Sequence, residues 1–164
     1  MQNKWIYSLT IVTIISFLAF YLYNRFKVAP DIKLKELTVI DLHDQVVDVS
    51  SYTGKKVIIC FAASWCGPCR EELKMIGALK ASKLMDVTVL VISDEPEEKV
   101  FAFKDQFDFP FVWLRLPAGF SSIGINSIPT SYLVNTKGAV VKKTVGFVDW
   151  NDPATSHRLL NLMD

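Results

Sequence analysis

Two apolar runs, the continuous VIICFA at 57–62 and VTVLVIS at 87–93 with only Thr88 inside it before Ser93, constrain this chain more than any other feature. A strand with one face in water alternates apolar and polar residues, whereas a run apolar at every position fits a strand covered on both faces of its sheet. Between the runs, residues 70–84 carry Leu73, Ile76 and Leu79 at helical spacing, so the order is strand, turn, helix, strand. Upstream, LKELTVIDL and VVDVSSY flank His43-Asp44-Gln45 and predict an opening hairpin. Downstream, a helical stretch runs from Pro96 to about Phe107, and Phe109 to Leu114 reads as a short strand. Ser121 to Gly124 forms a turn or short helix, and TSYLVN turns through Thr136-Lys137-Gly138 into AVVKKTV. Asp152 or Pro153 opens a last helix ending at Met163. Alternating strands and helices with a late hairpin predict an α/β protein with a mixed sheet.

The front of the chain obeys a different rule. From Trp5 to Tyr23 no residue is charged, and at ~1.5 Å per residue this run reaches roughly 28 Å as a helix, the thickness of a bilayer's hydrocarbon. Trp5, Tyr7, Tyr21 and Tyr23 stand where interfacial aromatics belong, with Lys4 before them and Arg25 and Lys27 after. A cleaved signal peptide would have a shorter apolar region and a small-x-small cleavage site; Ala29 is followed by Pro30, Ala19 has Phe17 two residues before it, and no cysteine near the segment can take a lipid. Residues 1–30 are therefore expected to be an uncleaved anchor with a short linker, and residues 31–164 a single domain. Counting Lys4 against Arg25, Lys27, Lys33 and Lys35 places the domain on the cytoplasmic side, but that rule weakens for a long folded domain. A periplasmic or extracytoplasmic domain is the expectation, because a supply of exported substrates explains an anchor. A net charge of +1 offers no field for nucleic acid, and 51% hydrophobic residues exclude a disordered chain.

Chemistry concentrates at Trp65-Cys66-Gly67-Pro68-Cys69, where the first apolar strand meets the helix. A thiol at a helix N-terminus faces unpaired backbone N–H groups and the positive end of the dipole, both of which favour thiolate. Cys66 is thereby the expected nucleophile and the more exposed thiol. Cys69, about one turn later, is close enough for a four-residue disulfide and points back toward the protein, placed to resolve a mixed disulfide. Gly67 permits tight approach and Pro68 suits a first helical turn. A zinc site would have to recruit Cys60, His43 and His157, which form no paired second knuckle, and no motif supports either histidine as the base of a Cys–His hydrolase. The Phe101 to Trp113 aromatic stretch is expected to fill core, and the charge run Asp94 to Lys99 to be a solvated helix start.

With VIICFAASWCGPCREEL, the helical insert after VISDEP, and SIPTSYLVNTKGAVVKKTVG in place, the chain from about residue 32 resembles the thioredoxin superfamily and, within it, the membrane-anchored TlpA-like thiol–disulfide oxidoreductases. The resemblance implies a thioredoxin-like fold: a central mixed sheet flanked by helices, with an N-terminal hairpin and a helical insert, preceded here by one transmembrane helix. It implies a protein-disulfide reductase that works through Cys66 and Cys69 on cysteine-containing exported proteins, with no cofactor beyond that pair. An upstream membrane electron donor and a part in cytochrome c maturation belong to the same implication. In the family, the proline at the Pro129 position follows a cis bond, here from Ile128, and lies against the redox pair; Trp65, Gly67, Pro68, Ile128 and Pro129 would border the substrate groove. Thioredoxins proper hold a buried acid where this chain has Cys60, which reads as a small buried hydrophobe. Glu72 matches an acid of the TlpA-like branch and is the candidate for proton transfer; the competing reading is a solvated glutamate in the first turns of a helix. Ala62 replaces a tryptophan common in the family. A thiol peroxidase and a non-catalytic thioredoxin-fold binding module remain as alternatives.

Overall fold

The computed structural model describes residues 2–27, 29–80 and 83–164. Among them, seven strands form one mixed sheet in the order β2-β1-β5-β4-β3-β6-β7. The strands are β1 Thr38–Ile40, β2 Val46–Asp48, β3 Lys56–Phe61, β4 Val87–Ser93, β5 Val112–Arg115, β6 Thr130–Val134 and β7 Val140–Val145. β3, β4 and β5 run parallel, joined by helices α2 (Gly67–Lys80) and α3 (Glu97–Lys104). β6 pairs antiparallel with β3 and with β7, and the β1–β2 hairpin closes the other side through β5. A final helix, α4, spans Pro153–Asn161.

The two apolar runs are the central strands, and their alternate residues feed two cores. Ile58, Cys60 and Ala62 face a cluster containing Leu73 and Ile76 of α2, Val100 and Phe103 of α3, and Leu159 of α4. Val57, Ile59 and Phe61 face the opposite cluster, with Val39, Leu90, Phe120 and Tyr132. Burial on both sides explains why neither run carries a polar residue until Ser93, apart from Thr88 near the start of the second. The aromatic stretch is core as expected: Phe103 lies edge-on to Phe107 and to Trp113, with ring centroids 5.5 and 5.2 Å apart.

Element boundaries are tighter than the periodicity predicts. The opening hairpin strands hold three residues each, because the flanking apolar segments close into 3-10 turns at Leu34–Glu36 and Val49–Tyr52. In the second, the Asp48 carboxylate accepts the Ser50 N–H and caps the turn. α3 ends at Lys104, short of Phe107. α2 ends at Lys80, whose ammonium donates to the carbonyls of Leu84, Met85 and Val87; part of the helical pattern expected to Leu84 falls on 81 and 82, outside the described residues.

Helix α1 runs Gln2–Lys27. Its window Lys4–Tyr23 is 20 residues long with a mean hydropathy of 1.9 and no part of it is buried in the domain, long and apolar enough to cross a membrane. A helix apolar on all sides needs a protein core or lipid around it. Its hydroxyls suit lipid as well: Thr10 and Thr13 donate to the carbonyls three residues back, Tyr7 and Thr10, at 2.8 Å each. The chain docks onto the domain soon after the helix. Ala29 is buried, Tyr132 Oη donates to the Pro30 carbonyl at 3.0 Å, and Lys143 pairs with Asp31.

Candidate active site

β3 delivers the chain to the carboxyl edge of the sheet, where Ala62 still bonds back to the Ile92 carbonyl. The next residues turn sharply, the Cys66 N–H reaching the Ala63 carbonyl at 3.0 Å, and α2 starts at Gly67. Cys66 and Cys69 are joined in a disulfide. The Cys69 N–H points at Cys66 Sγ, 3.2 Å away, the bond an N-cap side chain accepts from the first turn. A sulfur so placed meets the amide donor and the dipole that favour thiolate once the bond is reduced. Both cysteines are buried in the oxidised form, Cys66 at 4% exposure and Cys69 at 1%. Trp65, immediately before, is 70% exposed and Pro68 is exposed.

On the other side of the pair lies the loop entering β6. The Ile128–Pro129 peptide is cis, and Pro129 is buried with its carbonyl accepting the Gly146 N–H at 2.8 Å. Pro129 lines a narrow pocket with Cys60, Ala62, Cys69, Glu72 and Leu73. The structure thus gathers Cys66, Cys69, Glu72 and Pro129, with Ile128 half-buried beside them.

Glu72 is not on the solvated face of α2. It is 2% exposed, and its carboxylate accepts Ser131 Oγ at 2.9 Å, the Val148 N–H at 3.1 Å and Trp150 Nε1 at 3.4 Å. Burial pushes its pKa above the ordinary glutamate range, against the pull of those three donors. A buried carboxyl with a raised proton affinity beside a redox pair has the character of a general base. Cys60 stands in β3 directly opposite Ser131 of β6 and is free and buried. Burial, then the Glu72 charge, raise the Cys60 thiol's pKa, with the Ser131 hydroxyl opposing, so it stays a neutral thiol.

Three features at this edge escape the sequence reading. Glu95, read as part of a solvated helix start, is buried and accepts the Ser64 N–H at 2.5 Å and Ser64 Oγ at 2.7 Å. Arg70, on the first turn of α2, donates from Nη1 to the Ser64 carbonyl at 2.7 Å. Gly67, expected to allow a tight approach, has open space where a Cβ would stand. The only signal for Glu95 is its place two residues past a strand adjacent to β3, which requires knowing which strands are neighbours. His43 and His157 are exposed, and among the described residues no three His, Cys, Asp or Glu side chains gather to hold a metal.

Comparison with known proteins agrees with this geometry. The Redoxin family matches residues 27–160. The thioredoxin-like protein YneN of Bacillus subtilis is 30% identical over 161 residues, covering 89% of this chain and 92% of its own. The thiol-disulfide oxidoreductase ResA of Bacillus cereus is 32% identical over 113 residues, 66% of this chain and 65% of that one. A Chlorobium tepidum crystal structure, described as a thiol:disulfide interchange protein DsbE, superimposes with a TM-score of 0.69 at 26% identity over 84% of this chain and 99% of the other. The chain belongs to the Redoxin family and is a thiol–disulfide oxidoreductase built on the thioredoxin-like fold.

Proposed function

We propose that this protein is a membrane-tethered reductase of protein disulfides, with its domain outside the cytoplasm. The observation that carries the reading is Cys66 Sγ seated at the N-terminus of α2 under the Cys69 N–H, with its disulfide partner Cys69 beside the cis Pro129. In the reduced protein the Cys66 thiolate attacks one sulfur of a substrate disulfide. The substrate S–S bond breaks, one sulfur leaves as thiolate, and a mixed disulfide with Cys66 forms. Cys69 then attacks Cys66 Sγ, releasing the second substrate sulfur. Two electrons have passed to the substrate, and the Cys66–Cys69 disulfide is the oxidised product.

Glu72 is the group we assign to the proton of Cys69: it shares the pocket with Cys69 and Pro129, and its raised affinity for a proton suits accepting one when Cys69 must become nucleophilic. Cys60 fills the strand position opposite Ser131 without entering the exchange. Trp65, Gly67, Pro68, Ile128 and Pro129 border the groove for a cysteine-containing chain. An upstream membrane protein would return the electrons, and no cofactor beyond the cysteine pair takes part. The helix Lys4–Tyr23 would be the anchor, and docking of Ala29 and Pro30 onto the domain would keep the active site close to the bilayer.

Turbidity of insulin on chain separation, followed with the full-length protein in detergent and a thiol regenerant, tests the activity. Wild type should accelerate precipitation and Cys66→Ser should not. Cys69→Ser expressed in cells should accumulate mixed disulfides with exported proteins; no acceleration by wild type would sink the reading and favour a binding module.

A further inference from the structure

We infer that Glu95 is a positioning residue for thiol–disulfide exchange, holding the turn that presents Trp65 and Cys66 through Ser64. This rests on the exchange reading above and adds a residue to it.

Glu95 belongs to the loop between β4 and α3, 29 residues after Cys66 in the chain, and is 8% exposed. Two strands ending side by side bring it to the redox turn: β3 and β4 pair in parallel up to Phe61 and Ile92, so the residues leaving their carboxyl ends meet. There Oε2 takes the Ser64 N–H and Oε1 takes the Ser64 hydroxyl, while Ser93 Oγ stands 3.4 Å from Oε2. The Glu95 N–H donates in turn to Ser93 Oγ at 3.3 Å, so the loop is braced against the end of its own strand. On the remaining side, the Ser64 carbonyl accepts Arg70 Nη1 at 2.7 Å. Ser64 is held at its amide, its hydroxyl and its carbonyl, and two residues later the chain reaches Cys66.

A half-buried serine turn does not need a carboxylate to be stable. Burying a charge costs several kcal/mol unless it is well hydrogen-bonded, and a neutral acceptor would satisfy one amide and one hydroxyl at less expense. What a carboxylate supplies is two acceptor oxygens at once, in charge-assisted bonds that are shorter and about twice as strong as neutral ones. The Ser64 backbone and side chain are locked together, and with them the direction in which the chain enters α2. That direction sets whether Cys66 Sγ lies under the Cys69 N–H and whether Trp65 stands beside the incoming disulfide. In-line attack of sulfur on sulfur tolerates little misplacement, and an error of about 1 Å can cost on the order of a hundredfold in rate.

The test uses the full-length reduced protein in detergent, with two readouts. One is the second-order rate of oxidation by insulin disulfides; the other is the midpoint of the pH profile for Cys66 alkylation by iodoacetamide, read by peptide mass. Glu95→Ala should slow the insulin reaction about tenfold and move the alkylation midpoint upward, as Sγ leaves its amide donor. Ser64→Ala, which keeps the N–H bond, should slow it about threefold. The double variant should be no slower than Glu95→Ala, since both act through one contact. If Glu95→Ala does not fold, Glu95→Gln, which keeps shape and one acceptor, should show the same upward midpoint with a smaller rate loss. An unchanged rate and midpoint, even with a lowered melting temperature, would overturn the inference and leave Glu95 as part of the fold. A downward midpoint would also overturn it, because that is the effect of removing a nearby negative charge without moving the sulfur. Inactivity of the wild type would refute the exchange reading itself, an outcome separate from any of these.

Discussion

Gly77 in α2 lies directly beneath the ring of Phe109, and replacing it with alanine should destabilise the protein although alanine is the better helix former. A Cβ at residue 77 would stand 2.2 Å from Cδ2, 2.3 Å from Cε2 and 2.5 Å from Cγ of Phe109, whereas ordinary contact begins at 3.4 Å. The ring must retreat by about 1 Å or more, and it is not free to: Phe109 is half-buried and its centroid lies 5.6 Å from that of Phe111. Forcing an extra methyl into a filled core costs about 1–3 kcal/mol, while Gly→Ala within a helix returns roughly 1 kcal/mol. Three rigid ring atoms in the way place the penalty in the upper part of its range, for a net loss of about 1–2 kcal/mol. For a chain of this size that lowers the melting temperature by roughly 3–6 °C. In a Phe109→Ala background the obstacle is gone, and the same Gly77→Ala change should stabilise by up to about 1 kcal/mol. The sign therefore reverses, with a coupling of roughly 2–3 kcal/mol between the two sites. Thermal and urea unfolding of the four proteins in detergent, followed by far-ultraviolet circular dichroism, gives the cycle. If Gly77→Ala stabilises the otherwise native protein, or if the two backgrounds agree in sign, the steric argument fails.

Four further outcomes follow from the site. Glu72, whose folded pKa is raised above the ordinary 4.5, contributes stability that is fully present below that value and lost as pH rises through the folded pKa, by at most about 1.4 kcal/mol per pH unit. Glu72→Gln should accordingly gain on wild type in urea unfolding as pH rises above 5, and a wild-type advantage that grows with pH instead would contradict the buried acid. The Cys66–Cys69 couple should have a potential nearer ~−270 mV than ~−120 mV, because Gly67-Pro68 offers no charge or donor to stabilise a thiolate beyond the helix terminus; equilibration in glutathione buffers giving a value above about −180 mV would refute the reductase direction. Cys60 should remain a free thiol in the oxidised protein; non-reducing peptide mapping that finds it bridged as the main species would overturn its reading as a buried hydrophobe. An export-dependent reporter fused after Asp164 should be active, and activity only from a cytoplasmic reporter would reverse the proposed topology.

Residues whose chemistry depends on near neighbours in the chain are legible from the order of the amino acids. Cys66 and Cys69 are one helical turn apart, and a strand of six apolar residues running into Gly67-Pro68 places them at a helix start whatever surrounds it. The 19 uncharged residues from Trp5 to Tyr23 likewise determine a helix long enough for a bilayer, since the helical rise per residue is constant. Pro129 is legible through its motif and the resemblance that the motif carries.

Only the tertiary structure decided which charges stay in water. Glu71 and Glu72 are adjacent and chemically alike, yet Glu71 is exposed and pairs with Lys74, while Glu72 is buried because the register of β6 on β3 sets Ser131 opposite Cys60 and the chain after β7 returns with Val148 and Trp150. Glu95 and Glu97 stand two residues apart in one acidic run, and the first is drawn under the redox turn because β4 ends beside β3. A helix start and a loop each tolerate acids on sequence grounds alone. Whether a given carboxylate meets solvent or a set of hydrogen-bond donors depends on contacts between segments tens of residues apart, and no local pattern encodes that pairing.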